Sequence, residues 1–149
     1  MKHLLAAPFA ALLLAGGHAR ANDAGAVRVS RAWIRVLPGD LPAGGYATLR
    51  NTGGTALTLI GARSANYRRV MLHKSMSVDG MSQMSMVAGV PLPAHGTVRL
   101  APGGYHLMLM HAFHAVKPGD EILVSLQFAD GSSLAVEFLA RPANAAGAE

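Results

Sequence analysis

The segment at positions 103–113, GGYHLMLMHAF, places one imidazole and two thioethers at alternate positions of a run that is typical of a β-strand. Because the side chains of a strand alternate between its two faces, His106, Met108 and Met110 share one face and two leucines share the other. We expect the leucine face to join a hydrophobic core. The opposite face then presents nitrogen and sulfur donors, which are ligands of soft, late first-row metals.

A second set of donors flanks the dipeptide DG at positions 79–80, which predicts a two-residue hairpin loop. If the loop consists of these two residues, His73 faces Met86; if it is centred one residue earlier, His73 faces Met84. In both registers Met71 lies on the same face as these donors. Hairpin parity alone therefore leaves the choice between Met84 and Met86 open.

The methionines of this chain are strongly clustered, since all of them except Met1 lie between Met71 and Met110. Methionine often fills irregular gaps in a core, but that role gives no reason for the remaining strands to lack it. Two histidines and two methionines, without a thiolate or a carboxylate, suit Cu(I) better than Zn²⁺, Mg²⁺ or Ca²⁺. The pattern thus favours a cuprous site over lone histidines and methionines that simply pack.

The sequence contains no cysteine, which excludes a thiol nucleophile, thiol–disulfide exchange, a lipid-modified cysteine and a blue-copper centre. No Ser-His-Asp spacing or nucleophile elbow stands out, and no paired carboxylates flank the histidines, so we do not expect an enzyme. The charges are scattered, with no basic run longer than Arg68-Arg69, and this distribution does not indicate nucleic-acid binding.

Residues 1–21 are predicted to form a cleaved secretory signal peptide. Lys2 precedes an apolar run too short to span a bilayer, and Ala19 and Ala21 have the A-x-A spacing of a cleavage site. Cleavage removes Lys2 and one arginine from the 13 basic side chains, so 11 basic residues remain against 8 acidic ones, a net charge of +3. We expect a periplasmic protein with no membrane span in the mature chain.

Short alternating runs bounded by Gly, Pro, Asn and Asp fill the mature sequence, and no convincing helical periodicity interrupts them. The predicted strands include positions 27–36, 44–51, 56–62, 68–75, 121–128 and 134–139. Strands at such near-regular spacing predict an antiparallel sandwich or a small barrel. We place the domain at residues 22–139 and a flexible tail at residues 140–149.

The histidine and methionine donors, together with the segments around them, resemble the signature of the PCuAC family of periplasmic copper chaperones. The spacing His73-x10-Met84-x21-His106-x-Met108 matches the family's metal motif, and PGGYHLMLM is its most recognisable segment. The segments RAWIRVLP, AGGYATLRNTGG, RRVMLHKS and KPGDEILVSLQFADG follow in the expected order. The resemblance covers nearly the whole mature chain.

The resemblance implies an all-β, cupredoxin-like Greek-key barrel or sandwich that binds one Cu(I) through His73, Met84, His106 and Met108. It thereby selects Met84 over Met86. It also implies delivery of copper to the dinuclear centre of cytochrome c oxidase, with subunit II of the oxidase or a Sco-type protein as the acceptor. Two alternatives stay open: a periplasmic copper storage or resistance protein, and a metal-free β-sandwich interaction module.

The sequence departs from the family pattern at two places. Lys74 follows His73 where relatives often carry an acidic residue, which bears on the surface offered to a partner. The tail at residues 140–149 has no histidine or methionine, so a Cu(II) site of the kind found in some members is not expected there. The pattern leaves open whether the remaining candidates assist the site or simply pack: Met76, Met81, Met86, Met110, His111 and His114.

Overall fold

The computed structural model describes residues 22–149, so the predicted signal peptide lies outside the described residues. The described part opens with a one-turn helix, α1 (Asp23–Ala26), capped by the Asn22 side chain, which accepts a hydrogen bond from the Gly25 amide. No helix within residues 22–149 has the length and apolar character that a bilayer span needs. Ten strands follow: β1 (Val27–Arg35), β2 (Ala43–Asn51), β3 (Leu57–Arg63), β4 (Tyr67–Val78), β5 (Met81–Met86), β6 (Val90–Leu92), β7 (Thr97–Leu100), β8 (Tyr105–Ala112), β9 (Glu121–Phe128) and β10 (Ser133–Arg141).

The strands form one hydrogen-bonded path in the order β5-β4-β8-β2-β1-β10-β9-β3-β6, with β7 paired to β2. Leu107 of β8, in the first half of this path, shares one buried cluster with Phe128 of β9 and Phe138 of β10, in the second half. The two halves of the sheet therefore pack against each other. This arrangement confirms the predicted all-β sandwich. One pair departs from the antiparallel pattern, because β1 and β10 run parallel, with Trp33 opposite Leu139.

The alternation of side chains explains why these segments bury one face. In β9, every second residue from Ile122 to Phe128 is buried. In β8, Leu107 and Leu109 are completely buried, which confirms the leucine face as the core face. The donors His106 and Met108 therefore lie on the side of β8 that points away from the core.

The C-terminal segment lies against β1. Strand β10 ends at Arg141, two residues beyond the boundary predicted from the sequence, and Ala140 is fully buried. Beyond this strand, the Arg35 side chain donates hydrogen bonds to the Ala145 carbonyl through Nε (3.2 Å) and Nη2 (2.8 Å), and Arg31 forms an ion pair with Glu149. The segment predicted to be a flexible tail is thus held to β1 at two positions.

Candidate metal centre

The pairing of β4 with β8 places His73 directly opposite His106. Their ring centroids lie 5.8 Å apart and their planes are inclined by 55°. Because metal–imidazole bonds are about 2 Å long, two imidazoles bound to one ion hold their ring centroids about 5–6 Å apart. The separation of the two rings therefore suits a shared ion.

Three ring nitrogens at this pair are buried and have no hydrogen-bond partner: His73 Nδ1, His73 Nε2 and His106 Nε2. Buried polar atoms in folded proteins almost always have a partner, so such a group calls for an explanation. The remaining nitrogen, His106 Nδ1, lies 3.0 Å from the Gly104 carbonyl oxygen. In a neutral ring Nδ1 then donates to that carbonyl, which leaves the lone pair of Nε2 for a metal.

The electrostatics at His73 favour a neutral ring. Burial lowers the pKa of His73 below its ordinary value of 6.5, and the neighbouring His106 lowers that pKa further through charge repulsion. Histidine binds metals in its neutral form. The surroundings of His73 therefore hold it in the protonation state that a metal requires.

The hairpin between β4 and β5 sets the position of two methionines. Its loop consists of Asp79 and Gly80, whose φ angles of 50° and 77° are both positive, as a type I′ turn requires. Of the two registers left open by the sequence, the structure has the first: His73 faces Met86, and Met84 faces Ser75.

All four predicted ligands lie on one face of the sheet formed by β5, β4 and β8. The two histidines face each other, and Met108 lies two residues further along β8 on the same face, opposite Met71. Met84 lies in the pair on the other side of His73, at the level of Ser75. The structure thus gathers the histidines directly and flanks them with sulfur on both sides. The assignment of Met84 rather than Met86 stays a prediction.

An aromatic cover over His106 is the feature that sequence reasoning missed. His106 is only 4% exposed although it points away from the core. The Tyr46 ring lies beside it, with 6.4 Å between the centroids, and Trp33 packs on Tyr46 at 4.6 Å. A β-bulge between Ser30 and Trp33 shifts the pairing of β1 with β2. Because the bulge shifts the alternation of side chains along β1, the sequence pattern alone gives no sign that Trp33 and Tyr46 share the donor face.

The other histidines near β8 lie elsewhere. His111 and His114 line a cleft of about 620 Å³ at the far end of β8, together with Leu41 and Phe113. Across residues 22–149, no three His, Asp or Glu side chains come together in a group that could hold a metal ion.

Comparison with known proteins identifies the family. Residues 27–140 match the model of the LpqE-like family, described as "Putative lipoprotein LpqE-like". The chain belongs to this PCuAC-type family. The LpqE-like chain is also 34% identical to "Putative lipoprotein Lxx21020" of Leifsonia xyli subsp. xyli (strain CTCB07) over 113 residues, which is 75% of this chain and 68% of that relative.

Solved structures share the fold of this LpqE-like chain. The solution structure of CuI-DR1885 from Deinococcus radiodurans is 31% identical, with a TM-score of 0.61 over 74% of each chain. The apo PmoF2 PCuAC domain is 23% identical, with a TM-score of 0.68 over 84% of this chain and 97% of that domain. The copper-bound PCuAC domain from PmoF2 is 22% identical, with a TM-score of 0.66 over 80% and 95%. Membership of the PCuAC family and the cupredoxin-like sandwich are both confirmed.

Proposed function

We propose that this protein is a copper chaperone that binds one Cu(I) through His73, Met84, His106 and Met108. The observation that carries the proposal is the pair of opposed histidines with three buried ring nitrogens that have no partner. Two thioethers and two neutral imidazoles form a donor set that suits Cu(I). The copper-bound structures of DR1885 and of the PmoF2 PCuAC domain support the same reading.

Delivery proceeds by ligand exchange, without chemical turnover. The donors differ in accessibility: His106 is buried, whereas Met84 lies on a strand whose six residues are all exposed. An acceptor can therefore replace the exposed thioether first and the imidazoles afterwards. Because every protein ligand is neutral, no buried ligand charge is left uncompensated when the ion departs.

The proposed location is the periplasm, reached through the predicted signal peptide at residues 1–21. The relative in Leifsonia and the family are both described by name as lipoproteins, which supports export. The proposed acceptor is the dinuclear copper centre of cytochrome c oxidase, reached through subunit II or a Sco-type protein, as the resemblance to the PCuAC family implies.

Anaerobic titration of residues 22–149 with Cu(I), in competition with a chromophoric chelator, tests the site. We expect one copper per chain, and a weaker affinity for Met108→Leu, which keeps the side-chain volume and removes the sulfur. Met110→Leu is the matched control, because Met110 lies two residues further along β8 on the same face, opposite Arg69. A chain that retains no copper contradicts the proposal, as does Met108→Leu with unchanged affinity and reduced stability.

A deletion strain separates delivery from storage. Delivery predicts that the strain assembles less cytochrome c oxidase at low copper and that the wild-type gene, but not a His73→Ala variant, restores it. Normal oxidase assembly together with greater sensitivity to excess copper would instead assign the site to storage or resistance.

A further inference from the structure

The two sides of the proposed copper site differ sharply. On the β5 side, Met84 and Met86 are 52% and 68% exposed. On the β2 side, Tyr46 and Trp33 are both buried, although their side chains lie on the outer face of the sheet with His106. One side is therefore open to solvent and the other is closed by aromatic rings.

The position of Tyr46 depends on the absence of a side chain at Gly44. A Cβ atom at Gly44 would lie 2.8 Å from Tyr46 Cζ and still closer to the phenol oxygen. Non-bonded carbon atoms do not approach so closely, so the Tyr46 ring occupies the space above Gly44. In the sheet, Gly44 faces Met108 of β8, and the ring thus lies beside both β8 ligands.

Arg35 packs over both aromatic rings, Trp33 and Tyr46. Its guanidinium carbon lies 5.4 Å from the centroid of the Trp33 ring and 5.6 Å from that of Tyr46, within the range of cation–π contacts. The same guanidinium donates two hydrogen bonds to the Ala145 carbonyl. A continuous stack of contacts therefore runs from the C-terminal segment through Arg35 and the two aromatic rings to His106.

Resting on the proposed copper function, we propose that Tyr46 is a positioning residue of the copper site: its ring, held by Trp33 and Arg35, closes the β2 side of His106 and leaves the β5 side as the route for copper. Tyr46 is not assigned as a ligand, because a phenol, with an ordinary pKa of about 10, is protonated at neutral pH. A neutral phenol oxygen is also a poor match for a soft cuprous ion.

The stack acts on His106 in two ways. It excludes water from the imidazole, so that Nε2 has no competing partner on that side. It also limits rotation of the ring, whose other nitrogen is bonded to the Gly104 carbonyl. Such outer contacts orient a ligand and typically change metal affinity about 10- to 100-fold when they are removed.

The test compares Tyr46→Leu with Tyr46→Phe in residues 22–149 loaded with Cu(I). We expect Tyr46→Leu to lower the affinity about 10- to 100-fold and to speed transfer to excess chelator, while Tyr46→Phe keeps the ring and stays near wild type. Tyr105→Leu is the matched control: Tyr105 precedes His106 but lies on the other face of β8, where Lys74 Nζ is 4.8 Å from its ring centroid.

A copper-free measurement tests the closed side by itself. Trp33 is the only tryptophan of the chain, so quenching of its fluorescence by acrylamide reports how well the stack excludes solvent. We expect stronger quenching in Tyr46→Leu and in Gly44→Ala, where the added methyl group displaces the ring without altering any donor. If Tyr46→Leu does not fold, as judged by circular dichroism, Gly44→Ala carries both measurements with the same expectations.

The outcomes separate this inference from the proposed function. Wild-type protein that binds no Cu(I) overturns the proposed function. Wild-type protein that binds Cu(I), together with a folded Tyr46→Leu or Gly44→Ala variant of unchanged affinity and transfer rate, overturns the positioning role alone. A weaker affinity in Tyr105→Leu equal to that in Tyr46→Leu also overturns it, because the effect would not be specific to the donor face.

Discussion

Met84 and Met86 differ in their position relative to the histidines. Met86 lies directly opposite His73, while Met84 lies two residues further along β5 on the same face, opposite Ser75. Both side chains are exposed, so neither is required for packing. Only the family spacing assigns the ligand role to Met84.

We expect Met84→Leu to weaken Cu(I) binding by at least about tenfold, or ~1.4 kcal/mol, because a sulfur ligand is lost. Met86→Leu is the matched control on the same strand and face, and we expect its affinity to stay near wild type. Competition titration of both variants measures the difference. A larger loss in Met86→Leu would assign the ligand to the residue directly across from His73.

The protonation of His73 predicts a pH dependence for the proposed copper binding. Burial, and then His106, lower the pKa of His73 from 6.5, so in the copper-free chain this ring stays neutral to a lower pH than a free histidine. Protons compete with the metal only below that pKa. We therefore expect Cu(I) affinity to hold from pH 7.5 to below about pH 6.5, the ordinary histidine pKa, and to fall only at the lower pH at which His73 is protonated.

Competition titrations across this pH range measure the effect. Some binding should survive in acid, because thioethers do not titrate. Affinity that stays constant down to about pH 5 would contradict binding by two imidazoles.

At the scale of single elements, the β4–β5 hairpin depends on its turn. Gly80 has a φ of 77° and a Cβ atom there meets nothing within 4 Å, so the cost of a side chain is one of backbone conformation alone. We expect Gly80→Ala to destabilise the hairpin by about 1 kcal/mol and to weaken Cu(I) binding, because Met84 then loses its fixed register.

Urea unfolding and copper titration of Gly80→Ala check this expectation. Gly25→Ala is the matched control, since Gly25 also has open space around it but lies in α1 without a positive φ. An unchanged copper affinity in a Gly80→Ala variant with lower stability would show that the register of β5 does not matter for the site.

The same elements show what the sequence could and could not predict. The DG loop and the strand alternation in β8 follow from local patterns, and the structure has both of them. The bulge in β1 does not, because Arg31 adopts a positive φ of 53° that its residue type does not favour. The parallel pairing of β1 with β10 could not be predicted from the sequence either, because no short turn joins these strands.

The choice among the donors was likewise only partly predictable. The sequence placed each histidine on a strand that also carries methionine, but the pairing of β4 with β8 that brings the histidines together is long-range. Hairpin parity left the choice between Met84 and Met86 open. The cover formed by Trp33, Tyr46 and Arg35 combines two strands and the C-terminal segment. Contacts between residues so distant in the chain leave no local periodicity from which to infer them.

In the whole molecule, the residues that stabilise the sandwich are different from those proposed to bind copper. Phe138 is fully buried in the core shared by the two halves, whereas the proposed copper donors lie on the outer face of the β4–β8 sheet. We expect Phe138→Ala to lower the free energy of unfolding by about 3–5 kcal/mol through the cavity it creates. Its Cu(I) affinity should stay near wild type wherever the variant remains folded.

Chemical denaturation and copper titration at low temperature measure the two quantities independently. A folded Phe138→Ala variant with strongly weakened copper binding would show that the core and the outer face are coupled. That result would also change the interpretation of every donor variant, because loss of affinity could then arise from altered packing.

The exposure of β5 has a consequence for the lifetime of the protein. Peroxide converts accessible thioethers into sulfoxides, which are polar and are no longer soft donors. Met84 and Met86 lie on a strand exposed along its full length, while the leucine core beneath the site is sealed. Oxidative damage is therefore expected to begin at the hairpin proposed to bind copper, so a chain would lose the proposed copper affinity while its sandwich remains intact.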